Sequence, residues 1–475
     1  MWKRTAIAVL YLALFALPAS SRVLLRWTEP ALPPAEASVV QDLVISWSTG
    51  QNLVGAARKQ GYHVYAEVTL KEVSDAGQQI SQIGIAGIVV KMEGSDGLPE
   101  LETVKRLRLK YPHLRILVLG RPGKQPQMRG STIVNDAGVL EVSSPTAQPW
   151  IDSNVALVAY DRARRPAEVP LFDFPWGLSD AMERLREPSP TDYLLAVAEA
   201  GALHADLIMD VDPAFQRTLA QRHGEGVAAW NQVRRYIEFY SQQDKSSGVP
   251  MSNVGVVIDD FESAYEVMNL MARRNIPFRV LTPDELADGR QGLDLLMVFA
   301  KLDEKLTPEV AGFIAAGGIA VLVNQTGSFP WHSGEAGRPV GHSVTYTFGQ
   351  GKAIQFNGTI DDPETFAQDV RRLLSNEKML VNLWNALTTL AVPYQLAGGT
   401  EVTLELINYA EQPLPVQVRV KGSYPVIRYE NPEHGCCEYL SPTRSDGFTE
   451  FVVPWLGIGG RVHLAPAAAA TSANH

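Results

Sequence analysis

The stretch GGIAVLVNQTG, Gly317 to Gly327, decides how the second half of the chain is read. An apolar run leaves a Gly-Gly turn and stops at Asn324, with Thr326 and Gly327 closing a tight bend. A strand ending in such a turn is where many α/β hydrolytic folds present a nucleophile. Asn324 is uncharged and no nucleophile, so the segment reads as a turn closure or an interface, with a hydrogen bond to a ligand at a neighbouring site as the other reading. Outward from it lie VGVVIDD (254–260), the helical ESAYEVMNLMARRN (262–275), PFRVL (277–281), LDLLMVF (293–299) and the helical TPEVAGFIAAGG (307–318). Strands alternating with helices in this way predict a doubly wound α/β unit.

Further upstream, short apolar runs recur between turn residues. Strands are expected at 23–27, 43–47, 62–68, 87–92, 115–120, 139–143, 155–160, 170–174 and 205–211, several with helical spacing between them. Eight or nine βα-like units in this length predict a somewhat degenerate (β/α)₈ barrel. Downstream of about Gly399 the pattern becomes alternating strands without helices, TLELINY, PVQVRVKG, VIRYE and FTEFVVP, which predicts a small antiparallel β-sandwich. The expected division is therefore a signal peptide at 1–21, a barrel at 22–245, a doubly wound α/β domain at 246–385, a β-sandwich at 386–466 and a disordered tail at 467–475.

At 475 residues the chain is long enough for several domains with their own cores. Its formal net charge of -10 argues against nucleic acid as a partner, because such binding rests on Lys and Arg neutralising phosphates. Lys3 and Arg4, the apolar run to Leu17 and the small-residue exit at Pro18 to Ser21 form a secretory pattern, so export with cleavage near Ser21 is expected, an inner-membrane signal anchor being the alternative. The two cysteines, Cys436 and Cys437, are adjacent and cannot staple distant segments. They read as loop thiols, as a vicinal disulfide, or as metal contacts with His434. Phosphate-binding glycine loops, paired zinc-ligand spacings and G-x-S-x-G are all missing from the sequence, so no cofactor and no metal is expected.

The order of barrel, doubly wound domain and β domain resembles glycoside hydrolases of the family 42 β-galactosidase type. The match is carried by VGVVIDD, NIPFRVLTPDEL, LDLLMVF, LTPEVAGFIAAGGIAVLV and YTFGQGKAIQFNG, similar to that family's amidotransferase-like trimerisation domain, and by VTLELINYAEQPLPVQVRVKG, similar to its terminal β domain. Amidotransferases of this shape need a Cys nucleophile at a strand-to-helix turn, and residues 246–385 contain none. The resemblance implies a carbohydrate substrate, an oligo- or polysaccharide, and a homo-oligomer, a trimer if the family's arrangement holds; Met268, Leu270 and Met271 are the residues on which such a contact would rest, unless they pack on their own sheet.

Glycoside hydrolysis needs two carboxyl groups, one holding a proton and one ionised, and in a barrel these sit at strand C-terminal ends. Acids expected there are Glu29, Glu67, Glu93, Asp161, Asp173, Asp210 and Asp212. The resemblance implies the acid/base after the fourth strand, hence Glu93, whose other reading is a loop cap. Asp173 or Asp161 is the expected partner, each also readable as an ion-pair partner of Arg162, Arg164 or Arg165. Trp27, Trp47 and Trp176 at strand ends suit sugar stacking or else the core. Glu67, Asp210 and Asp212 complete the expected substrate-binding set, with Asp212 before Pro213 also readable as a helix cap. The alternative to an enzyme is a non-catalytic glycan-binding or envelope-assembly protein derived from one.

Overall fold

The computed structural model describes residues 22–34, 39–91, 98–119, 132–134, 140–142, 154–166, 168–173, 188–242, 248–358, 360, 362–396, 399–410 and 412–466. The N-terminal part is built from β1 (Val23–Arg26), β2 (Asp42–Ser46), α1 (Trp47–Lys59), β3 (His63–Thr69), α2 (Leu70–Gln82), β4 (Gly87–Lys91), α3 (Leu98–Lys110), β5 (Arg115–Leu119), α4 (Val155–Arg164), β6 (Leu171–Asp173), α5 (Pro190–Ala202), β7 (Asp206–Asp210), α6 (Pro213–Ala220) and α7 (Gly224–Ser241). The seven strands form one parallel sheet in the order β5-β4-β3-β2-β1-β7-β6. Its two edge strands, β5 and β6, lie against each other, which nearly closes the barrel. Inside it every strand contributes one buried side chain: Leu24, Val44, Tyr65, Val89, Leu119, Leu171 and Ile208. Such a filled interior is how a parallel barrel avoids an empty pore.

The barrel-type fold is as expected, with seven described strands in place of eight. Two expected strands are corrected. Residues 140–142 pair with 132–134 in a separate two-stranded sheet, outside the barrel. Val155 to Tyr160 is helix α4, not a strand. Its Ala156, Leu157 and Tyr160 enter the core of the following domain, while Val158 packs into the barrel core. A short run buried on two sides is apolar throughout and carries no helical period.

The second unit comprises β8 (Val254–Val257), α8 (Tyr265–Arg273), β9 (Phe278–Leu281), β10 (Leu295–Val298), α9 (Leu306–Ala315), β11 (Ile319–Val323), β12 (Ser343–Phe348), β13 (Gly351–Phe356) and α10 (Pro363–Lys378). Its sheet runs β9-β8-β10-β11-β13 in parallel and continues antiparallel through β12 to the short strand 335–336. Asn324 ends β11 at φ 54°, and its Oδ1 accepts from the Gly358 amide at 2.9 Å. Gly327 follows at φ 127°, a conformation that favours glycine. The Gly317–Gly327 stretch therefore closes a turn, and Asn324 acts as its clasp. Met268 and Met271 are fully buried in this unit's own core, so they offer no contact face.

The last unit pairs β14 (Val381–Trp384), β17 (Leu414–Lys421), β21 (Phe448–Leu456) and β20 (Thr443–Ser445) in one antiparallel sheet. Opposite it lie β15 (Thr389–Gln395), β16 (Val402–Asn408), β22 (Gly459–Ala465), β18 (Val426–Asn431) and β19 (Gly435–Tyr439). Strand β14 lies ahead of residue 386 and already belongs to this sandwich through its pairing with β17. Alternating Val416, Val418 and Val420 face the shared core, as period-two patterning demands. Cys436 and Cys437 lie side by side on exposed strand β19 with their sulfurs adjacent, as a vicinal pair requires. Among the described residues no helix is long and apolar enough to cross a membrane, and residues 1–21 lie outside them.

Candidate active site at the barrel mouth

Successive side chains alternate between the two faces of a strand, so the residue two beyond each interior apolar position points inward one layer nearer the C-terminal end. Applied to this barrel, Leu24, Val44, Tyr65, Val89, Leu171 and Ile208 are followed by Arg26, Ser46, Glu67, Lys91, Asp173 and Asp210. The layer turns from apolar to ionic in one step. At its centre Arg26 Nη2 donates to Glu67 Oε1 at 2.5 Å and to Asp173 Oδ2 at 2.9 Å, while Nη1 lies 3.3 Å from Asp210 Oδ2. Lys91 Nζ stands 3.9 Å from Glu67. The Arg26 side chain is 11% exposed, Glu67 10% and Asp173 19%, whereas Asp210 is the most open at 32%.

Burial sets the electrostatics. It opposes charge on Arg26, but Asp173, Glu67 and Asp210 outweigh it and hold the guanidinium firmly protonated. Burial pushes the Asp210 carboxyl up from the ordinary range; Arg26 works against the rise, and Asp173 and Glu67 add to it by like-charge repulsion. Asp210, inclined to keep its proton, therefore stands beside Asp173 on the same guanidinium. Because Asp173 and Asp210 grip one guanidinium, they lie no farther apart than the roughly 6.5–9.5 Å of an inverting carboxylate pair.

The structure brings Glu67, Asp173 and Asp210 together and disperses the other expected site residues that it describes. Asp161 is on helix α4, where Arg165 Nη2 donates to its two oxygens at 2.5 and 2.6 Å, an i,i+4 pair away from the strand ends. Asp212 caps α6, accepting from the Ala214 amide at 2.7 Å. Glu29 pairs with Arg217 at 3.0 Å. Trp27 and Trp47 are corrected as sugar platforms: both are buried in the barrel core, and the Trp27 indole donates to the Ala31 carbonyl at 2.7 Å. Glu93 and Trp176 lie outside the described residues. Arg26, the centre of the cluster, was not among the expected residues. Its signal was a charge inside the apolar strand VLLRW, since a charge buried there requires a partner.

No family model matches the chain, and no curated protein matches it. In shape it is similar to α-L-fucosidase isoenzyme 2 from Paenibacillus thiaminolyticus, with 12% identity and a TM-score of 0.56 over 94% of this chain and 99% of that one. It is also similar to the cold-adapted β-galactosidase from Rahnella sp. R3, with 10% identity and a TM-score of 0.51 over 88% and 94% of the two chains. At such identities the likeness establishes the fold alone: this chain shares with those two enzymes a barrel followed by smaller domains.

Proposed function

We propose that the chain is an exported carbohydrate-active protein, a glycoside hydrolase working at the C-terminal face of its barrel. The observation that carries this reading is the convergence of Glu67, Asp173 and Asp210 on Arg26 in the innermost layer of that face. Asp210, raised by burial, is the group suited to hand a proton to a leaving glycosidic oxygen. Asp173 is the partner, acting as nucleophile or as base for water, and Arg26 positions both carboxyls. Glu93, after β4, is retained as a second acid/base candidate on the resemblance. The secretory pattern at residues 1–21 is the support for export, and a homo-oligomer remains the expected assembly.

Asp173→Asn, Asp210→Asn and Glu93→Gln, assayed on aryl glycosides and polysaccharides, test this. Loss of a carboxyl that acts on the proton should lower kcat by about 10²–10⁴-fold. Parent activity surviving all three changes would remove the site from this layer. One observation favours a second reading, a non-catalytic glycan binder: Arg26 already engages every carboxylate of the layer. That reading gains if the parent hydrolyses nothing yet binds a glycan that Glu67→Gln releases.

A further inference from the structure

A basic pocket lies far from the barrel strands in sequence. Between the C-terminal end of α8 and the last turns of α10 lies an open pocket of about 630 Å³, lined by Arg274, Gln368, Arg371, Arg372, Ser375 and Asn376. Arg274 pairs with Glu364, and Arg372 with Asp369 at 2.6 Å. Arg371 has no carboxylate partner among the described residues; it donates to the neutral Asn382 Oδ1 at 3.0 Å and weakly to the Arg274 carbonyl at 3.5 Å. The third cation is thus left over. Burial and the neighbouring Arg273 and Arg371 charges push the Arg274 guanidinium down, as expected where cations crowd without enough counter-charge. In a chain of net charge -10 this excess is local to the pocket.

The buried Asn382 links Arg371 at the pocket to strand β14 of the sandwich. Val381 and Leu383 of β14 pack toward the sandwich core, so Asn382 and Trp384 share the outward side of the strand. Trp384 is 40% exposed. Strand register sets Gln417 opposite Trp384 and Arg419 opposite Asn382. Trp384 thereby stands two residues, about 6.5 Å of strand rise, beyond the Asn382 that Arg371 contacts, with polar side chains on the neighbouring strand. Arginine pairs with a carboxylate in bidentate fashion, and an indole face packs on the C–H face of a sugar. Neither a bare anion nor a neutral glycan uses both halves.

We propose that the pocket lined by Arg274, Arg371 and Arg372, together with Trp384, binds a carboxylate-bearing glycan segment, a uronic-acid oligosaccharide, at the junction of the doubly wound domain and the sandwich. The sugar half of this assignment rests on the carbohydrate reading of the chain; the anion half does not. Calorimetric titration of the full chain with hexagalacturonate, with cellohexaose and with inorganic phosphate tests it. Hexagalacturonate should bind, weaken at higher salt, lose at least tenfold in affinity in Arg371→Gln and in the exposed Arg372→Glu, and lose several-fold in Trp384→Ala. Asp173→Asn should leave that binding unchanged, which separates this pocket from the barrel mouth, whose own test is hydrolysis. Phosphate binding as tightly as hexagalacturonate, with no effect of Trp384→Ala, would make this a small-anion site and overturn the glycan assignment. Equal binding of cellohexaose, or hexagalacturonate binding lost in Asp173→Asn and kept in both arginine variants, would overturn the pocket itself.

Discussion

Arg26 is the residue on which the barrel mouth depends. It sits in a low-dielectric layer with three carboxylates, and removing one partner of such a group leaves uncompensated charge. Arg26→Met should therefore cost about 3–5 kcal/mol of stability. The deficit should be largest above the carboxylate range and shrink as the pH falls and the three acids take up protons; thermal melts across pH 4 to 8 measure this, and a pH-independent deficit would show that packing, not charge, is lost. Asp210 carries a second prediction. Its raised pKa means that the proton-donating form disappears as pH rises through that value, so kcat should fall on the alkaline side. Measuring rate against pH in Asp210→Asn should show that limb gone. At this scale the sequence was partly legible: period-two alternation places Glu67, Asp173 and Asp210 inward, each two residues beyond an interior apolar position. Their union across 147 residues from Arg26 to Asp173 was not, because such a contact exists only once the barrel closes.

Helices α4 and α5 show the same logic one level up. The segment Val155 to Tyr160 reads as a strand because it is apolar on every side, and it is so because two domains enclose it. Local pattern cannot tell a doubly covered helix from a buried strand when the run is this short. Helix α5 is the longer case: from Asp192 to Ala202 every residue is buried, with the barrel on one side and sandwich strands β16 and β22 on the other. Its Glu199 accepts from the Asn154 amide at 2.8 Å and from the Tyr409 hydroxyl at 2.5 Å, so the sandwich helps satisfy a carboxyl group buried in the barrel's helix. Gly201 of α5 packs on Tyr240 of α7 so closely that a Cβ would meet ring carbons at 2.2 Å. An aromatic ring held in a core cannot move aside cheaply, so Gly201→Ala should destabilise by about 1–3 kcal/mol or more, although alanine is the better helix former. Denaturant unfolding reads this directly, and a stabilised variant would show that α5 and α7 can separate without cost.

Across the whole molecule the barrel and the sandwich are joined by polar contacts that carry their own pH dependence. Tyr394 of β15 donates its hydroxyl to the Ala202 carbonyl at 2.9 Å, and Tyr236 of α7 donates to Glu433. Against Tyr394 lies His204, its ring stacked at 3.9 Å and 17°. Burial, with the charges of Arg162 and Arg461 adding to it, pushes the His204 imidazole down to about 3, so the folded junction holds it neutral. The unfolded chain protonates the same ring near pH 6.5, and between the two values it binds more protons than the folded one. Stability from this group is therefore complete above about pH 6.5 and drains away as the pH falls, by about 2 kcal/mol at pH 5. Asp206 works in the opposite sense: burial raises it to about 6, so the folded state keeps a proton that the unfolded state gives up, and stability falls as pH rises through that interval. A wild-type melt sums both, and the variant separates them. His204→Phe keeps an aromatic on Tyr394 and removes only the titration; the positive φ of 51° at this position penalises the larger side chain by the same amount at every pH. The wild type should lose more melting temperature than His204→Phe between pH 7 and pH 5. Parallel losses in the two proteins would mean that the imidazole is charged in the folded junction and that the stack on Tyr394 tolerates the proton.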